Sequence, residues 1–279
     1  MCEECGCSEL YEEPMNIKEA HGHHHDHEHN HDHTHHHDHT HDHHHQENIG
    51  AFDQESSINA KHLKTMELGF SALKKNDEYA AQNRSFFSER NVLSINLISS
   101  PGSGKTTLLE QMARQLGQSM AVIVGDIQTR RDAERIEACG SPAYQIETMG
   151  ACHLDAHSVG HALEKLDFKN VKICIIENVG NLVCPAAYDL GEDLKVAILS
   201  APEGDDKVLK YPSIFSRAAI VLINKMDIAQ YLDFDVEKVK KECKSLNHLC
   251  DIFSMAAKTG QGVEDFCQFL KIKRAQKTN

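Results

Sequence analysis

The sequence predicts an α/β fold, a mainly parallel sheet with helices on both faces. Two observations carry this. Five short runs rich in Val and Ile alternate with longer stretches of helical character, and Gly-rich or polar turns follow several of those runs. Strands that alternate with helices pair in parallel, and a parallel sheet needs cover on both faces. The strand candidates are Val92–Ile98, Ala121–Val124, Val171–Ile176, Val196–Leu199 and Ala219–Ile223, with helices such as Thr106–Leu116 and Arg131–Cys139 between them. Ligands of such sheets bind at the carboxyl ends of the strands, so the turns after each run are the places to read for chemistry.

Composition divides the 279 residues into three regions. Residues 1–55 hold Cys, His, Asp and Glu but little that could form a core, and sixteen of the twenty-five positions in 21–45 are His. Such an arm buries too little apolar surface to offset its ordering entropy, so it is expected to be disordered. Residues 56–90 read as a helical segment, with Leu63, Met66, Phe70 and Leu73 on one stripe. Residues 91–274 form the α/β domain. A net charge of -13 argues against a general nucleic-acid binder. No run approaches the roughly 18 apolar residues of a membrane span, and the N-terminus lacks the basic start and apolar core of a secretory signal. A soluble cytoplasmic protein is the expectation. In a reducing compartment its ten cysteines read as metal ligands or small buried side chains, not as a disulfide framework.

The turn after the first strand is Ser99-Ser100-Pro101-Gly102-Ser103-Gly104-Lys105-Thr106, and it opens a helix. This is the phosphate-binding loop of a P-loop NTPase, with Ser99 where the pattern usually has Gly. Gly102, Ser103, Gly104, Lys105, Thr106 and Thr107 are expected to line the phosphates. The glycines let backbone N–H groups close on the anion, Lys105 neutralises its charge, and the Thr106 hydroxyl reaches Mg²⁺. The base is read from Asn224-Lys225-Met226-Asp227, directly after the Ala219–Ile223 run. Asp227 could accept from guanine N1–H and the exocyclic amine while Asn224 holds the loop and the Lys225 stem covers the ring. Adenine would leave that carboxylate unpaired. Ala256-Ala257-Lys258-Thr259-Gly260 is similar to the last guanine-contacting loop of GTPases, which adds Ala257 and Lys258. Asp126, ending the second run, and Glu177 and Gly180, in Glu177-Asn178-Val179-Gly180, are the expected γ-phosphate and Mg²⁺ sensors. Lys105, Asp126 and Glu177 are thus the catalytic candidates.

Metal-ligand residue types fall in three places. Cys2, Cys5 and Cys7 lie around Gly6, and removal of Met1 would add a free amine beside Cys2. Three sulfurs and one nitrogen in a planar set suit Ni²⁺ better than tetrahedral Zn²⁺. The His tract reads as an unselective multi-ion buffer. Inside the α/β domain, Cys152 and His153 begin a predicted helix that also carries His157 and His161, so that 153, 157 and 161 would stack on one helical face. Cys184 follows the Glu177–Gly180 turn by four residues, and could share one ion with Cys152 and His153 if the strand ends are neighbours. The other cysteines, Cys139, Cys174, Cys243, Cys250 and Cys267, read as core or surface residues.

Taken together, Cys-x-x-Cys-Gly-Cys, the His-rich insert, the phosphate loop, Gly-Ala-Cys-His-Leu-Asp-Ala, Glu-Asn-Val-Gly-Asn-Leu-Val-Cys-Pro and Asn-Lys-Met-Asp resemble the HypB family over essentially the whole chain. The resemblance implies a SIMIBI-type GTPase with slow turnover that helps insert nickel into [NiFe]-hydrogenase. It implies a metal- and GTP-dependent homodimer with an ion at the subunit interface, at the positions of Cys152, His153 and Cys184, and a separate tight nickel site at Cys2, Cys5 and Cys7. The implied partners are a zinc-containing nickel-chaperone accessory protein and the hydrogenase large subunit, with no membrane or nucleic acid. Two other readings stay open at this point. One is a urease-accessory nickel GTPase, although the Cys-Pro-His motif of that family is absent here. The other is a nickel or zinc storage protein with an inactive nucleotide domain. Whether Ni²⁺ or Zn²⁺ fills the interior site also stays open.

Overall fold

The computed structural model describes residues 71–126 and 131–277. The Cys2, Cys5 and Cys7 motif, the His tract, and Leu63, Met66 and Phe70 of the helical stripe lie outside the described residues. The chain enters through a helix over 71–89, α1. The strands are β1 (Leu93–Ser99), β2 (Met120–Asp126), β3 (Ala143–Glu147), β4 (Ile173–Glu177), β5 (Leu194–Ser200), β6 (Ile220–Asn224) and β7 (Asp251–Ser254). The other helices are α2 (Lys105–Leu116), α3 (Arg131–Ala138), α4 (Ala156–Lys165), α5 (Cys184–Ala187), α6 (Lys207–Lys210), α7 (Pro212–Arg217), α8 (Val236–Leu246) and α9 (Val263–Lys277). The strands form one sheet in the order β3-β2-β4-β1-β5-β6-β7, and all of its pairings are parallel.

The predicted α/β architecture is present, with two strands beyond the five read from sequence. β3 and β7 are the edge strands. Their sequences, Ala-Tyr-Gln-Ile-Glu and Asp-Ile-Phe-Ser, lack the unbroken Val/Ile run that marks a strand buried on both faces. The central strands alternate between two cores. Ile95, Leu97, Val122, Val124, Ile173, Ile175, Val196 and Ile198 face one side, where Leu108, Met112 and Phe266 from α2 and α9 cover them. Ile98, Ala197, Leu199, Val221 and Ile223 face the other, against Phe215 and Val239. Ala121, Ile123, Cys174 and Ile176 share that second face, under Phe87 of α1 and Val159 of α4. This is the period-two pattern of a doubly covered sheet.

The described part of the helical segment carries the stripe onward from Leu73 at spacings of three and four. Leu73 is only half-buried. In the described part of α1 the buried positions are Asn76, Ala80, Asn83 and Phe87, still at spacings of four and three. No helix among the described residues is long and apolar enough to cross a membrane.

Candidate nucleotide and metal site

β1 lies between β4 and β5, so the crevice at its carboxyl end is flanked by the ends of both. The phosphate loop fills the turn from β1 into α2. Gly102 has φ 72° and Gly104 φ 97°, the left-handed region that L side chains avoid. Space beside the Gly102 Cα is open for 4 Å, whereas a Cβ on Gly104 would stand 2.6 Å from the Asn224 Nδ2. Lys105 Nζ donates to Ser99 Oγ at 2.8 Å, folded back over the loop. Ser99, the departure from the usual pattern, thus supplies an acceptor to the loop lysine.

The Thr106 hydroxyl lies 3.0 Å from Asp132 Oδ2 and 3.5 Å from Glu177 Oε1. Three oxygens converging beside a phosphate cradle are the donor set a hard divalent cation takes, so the residues fit Mg²⁺. Glu177 is 3% exposed, which keeps its carboxylate on the cradle and away from bulk water. Asp132, on the first turn of α3, was not singled out from sequence, because a lone acid in a helix carries no motif. Asp126 ends β2, paired in register with Glu147.

Asn224 ties the loops after β6 and β7 to the cradle. Its Nδ2 donates to Ser103 O at 2.8 Å, and its Oδ1 accepts from Ala257 N at 2.9 Å. Met226 N donates to Met255 O, joining the same two loops. Lys225, at φ 62°, donates its Nζ to Gly102 O at 2.7 Å. Asp227 is half-buried at the loop tip, Ala257 is buried and Lys258 is exposed.

The turn after β4 runs from the cradle to a cysteine cluster. Gly180 packs against Pro101, where a Cβ would sit 3.0–3.1 Å from Pro101 atoms, two of them backbone. The buried Asn178 accepts from Leu154 N at 3.1 Å and donates to Asn96 Oδ1 at 3.2 Å. Asn181 donates its Nδ2 to Cys152 O at 3.3 Å. Four residues after Gly180, Cys184 meets Cys152 and His153, and the ligand atoms of all three lie within 4.8 Å of one another. Cys152 Sγ is 3.4 Å from His153 Nδ1. Two thiols and an imidazole at this separation fit a borderline or soft transition ion such as Ni²⁺ or Zn²⁺. His153 is 6% exposed and its ring lies 3.9 Å, centroid to centroid, from Tyr188. Burial pushes its pKa below the ordinary histidine value, against an opposing pull from Asp155, and so favours the neutral, metal-ligating form.

The three-imidazole helical face is not formed. Asp155 is the N-cap, accepting from Ser158 N, and α4 begins only at Ala156. A competent capping side chain sets the start of the helix, which leaves His153 in the preceding loop. His157 lies outside the Cys152–His153–Cys184 cluster. Its ring is 4.6 Å from that of Tyr79, and its Nε2 is 3.2 Å from His161 Nε2. Cys174, Cys243, Cys250 and Cys267 are buried, and burial pushes their thiols upward, as inert core cysteines require.

A glycine-rich cradle between a central strand and its helix, with paired loops at the next strand ends, defines a P-loop nucleotide-binding domain. Residues 93–254 match the family model described as CobW/HypB/UreG, nucleotide-binding domain. The chain is 50% identical over 204 residues to the hydrogenase maturation factor HypB of Azotobacter vinelandii, covering 72% of this chain and 67% of that protein. It is 42% identical to the Helicobacter pylori protein named hydrogenase/urease maturation factor HypB, over 80% of this chain and 95% of that one. The crystal structure of HypB from Helicobacter pylori in complex with nickel matches with TM-score 0.70 at 42% identity, covering 72% of this chain and 96% of that chain. The chain belongs to the CobW/HypB/UreG family, on its HypB branch.

Proposed function

We propose that the chain is a GTP-hydrolysing nickel metallochaperone serving [NiFe]-hydrogenase maturation, in which nucleotide state sets the geometry of the Cys152, His153 and Cys184 site. The carrying observation is that one segment, Glu177 to Cys184, touches both chemistries. Its start reaches Thr106 of the cradle, its middle packs on Pro101, and its asparagines hold the backbone of Cys152 and Leu154. A shift of Gly180 on gaining or losing a γ-phosphate therefore moves Asn181 and Cys184 together, which is the two-state element that coupling requires.

In this reading Lys105 neutralises β/γ-phosphate charge, and Thr106 with Glu177 holds Mg²⁺. Asp126 and Glu177 orient the attacking water, Gly180 presents its N–H to the γ-phosphate, and Asp227 pairs with guanine while Ala257 and Lys258 close the base pocket. Mg²⁺ supplies charge neutralisation on the phosphates. The nickel ion is cargo. Cys2, Cys5 and Cys7 form a second, independent nickel site, and the cytoplasmic protein works as a homodimer with its ion at the subunit contact. His157 is proposed as a ligand entering that site only with rearrangement, since it stands apart from the cluster. Zn²⁺ is the competing occupant, and the partners are a nickel-chaperone accessory protein and the hydrogenase large subunit.

The test is delivery. Full-length protein loaded with nickel is mixed with the metal-free hydrogenase large subunit and its accessory proteins, with GTP or a non-hydrolysable analogue. GTP-dependent appearance of nickel in the large subunit supports the reading. Equal transfer with either nucleotide refutes the hydrolysis step. The name of the Helicobacter pylori relative favours a second recipient, urease. Nickel appearing in metal-free urease but not in hydrogenase, in the same assay, would select that reading.

A further inference from the structure

The cluster Cys152, His153 and Cys184 sits on two loops that have no strand pairing to hold their relative position. One runs from Ala151 to Asp155 before α4, and the other follows Gly180 and continues through α5 to Gly191. Besides the Asn178 and Asn181 bonds, α1 ties the two segments together. Two asparagines one heptad apart, Asn76 and Asn83, point into the same contact and are 6% and 4% exposed. A buried amide side chain needs hydrogen-bond partners, and here they come from the first residue of α4 and from the loop before β5.

Ala156 N donates to Asn76 Oδ1 at 2.9 Å, and Asn76 Nδ2 donates to Asp189 O at 2.7 Å. Asn83 Nδ2 donates to Ala156 O at 2.7 Å and to Leu190 O at 3.0 Å. Both backbone groups of Ala156, three residues after His153, are thus fixed to α1, as are two consecutive carbonyls just past Tyr188. Tyr188 in turn lies against the His153 ring. The approach is close enough to exclude a side chain at Gly191. That residue adopts φ 87°, and a Cβ there would come within 2.5 Å of Ala80 O and 2.7 Å of Asn83 Cβ.

We infer that Asn76 and Asn83 are positioning residues for the interior metal site, tying the two chain segments that carry its ligands to α1. Their hydrogen bonds go to the backbone of Ala156, Asp189 and Leu190, and not to a ligand atom or the phosphate loop. Metal affinity should depend on them while nucleotide affinity does not. The inference rests on the proposed role of Cys152, His153 and Cys184 as ligands, and the experiment separates the two ideas.

Full-length protein carrying Cys2→Ser, Cys5→Ser and Cys7→Ser is titrated with Co²⁺ alone, and thiolate-to-metal charge-transfer absorption is recorded. Imidazoles of the His tract give no such band, and its loss in Cys152→Ser and Cys184→Ser assigns the signal to those two thiols rather than to the half-buried Cys139. In that background, Asn83→Leu and Asn76→Leu are expected to weaken Co²⁺ binding roughly tenfold or more, the scale at which support around a metal site acts. The charge-transfer band should change shape, while affinity for a fluorescent guanine nucleotide stays within about twofold. Asn83→Ser, a smaller change that keeps one donor, gives the same readout if a leucine variant does not accumulate folded. An unchanged band and affinity in both asparagine variants would overturn the inference, as would a parallel loss of nucleotide binding, which would make α1 a general scaffold. No Cys152-dependent band in the parent itself would instead overturn the ligand assignment.

Discussion

Gly104→Ala is a sharp perturbation of the nucleotide cradle, and Gly102→Ala is its internal control. Both glycines are left-handed, at φ 97° and 72°, so an L side chain costs about 1–2 kcal/mol of backbone strain at either. They differ in what the new Cβ meets: nothing within 4 Å at position 102, and Asn224 Nδ2 at 2.6 Å at position 104. Asn224 cannot retreat cheaply. It is 1% exposed and holds Ser103 O at 2.8 Å and Ala257 N at 2.9 Å. Losing both bonds costs about 1 kcal/mol each. Gly104→Ala should therefore be less stable than Gly102→Ala by about 2 kcal/mol, or about 4–8 °C in Tm for a domain of this size. Thermal unfolding without nucleotide, followed by circular dichroism, measures the gap. Equal Tm values for the two variants would refute the claim that Asn224 is a rigid strut between the cradle and the Ala256–Gly260 loop.

Asp227→Asn should reduce the preference for GTP over ATP on the order of 10²-fold or more, since two hydrogen bonds to a charged acceptor are at stake; competition binding checks this. Lys105→Ala should abolish GTP turnover and leave nickel on Cys2, Cys5 and Cys7, read from phosphate release and thiolate–nickel absorption on the same sample; loss of both would refute the separation of the two sites. His153 has a folded pKa depressed by burial, so its contribution to stability is complete above the unfolded value near 6.5 and is lost as pH falls through the folded one. The metal-free parent should lose more stability than His153→Gln between neutral and mildly acid pH. Parallel denaturation curves for the two at every pH would contradict that.

The parts of this molecule that were legible in the sequence are those whose chemistry is local. The phosphate loop needs two left-handed positions in three residues and only Gly102 and Gly104 could supply them, so that motif reads directly. The central strands declare themselves because burial on both faces demands continuous Val and Ile. The edges do not: β3 and β7 carry Tyr, Gln, Asp and Ser because one side of each lacks a strand neighbour. The convergence of Cys152, His153 and Cys184 could be suggested from their placement after strand ends. His157 stands apart from them because the Asp155 cap starts α4 only after His153, so the two imidazoles do not share a helical face. Asp132, Asn178, Asn181, Asn76 and Asn83 were invisible, since each acts through a partner at least 24 positions away. A buried asparagine is a signal only once burial is known.

The proposed coupling runs through one segment, Glu177 to Cys184, from the γ-phosphate to the interior metal. Its most direct measurement is Co²⁺ affinity of the full chain with Cys2, Cys5 and Cys7 replaced by serine, with Mg²⁺ present, in a GTP analogue and in GDP. Affinities differing at least about fivefold between the two nucleotides are expected, the lower end of ordinary coupling between sites. Affinities that are the same in both states would contradict that coupling.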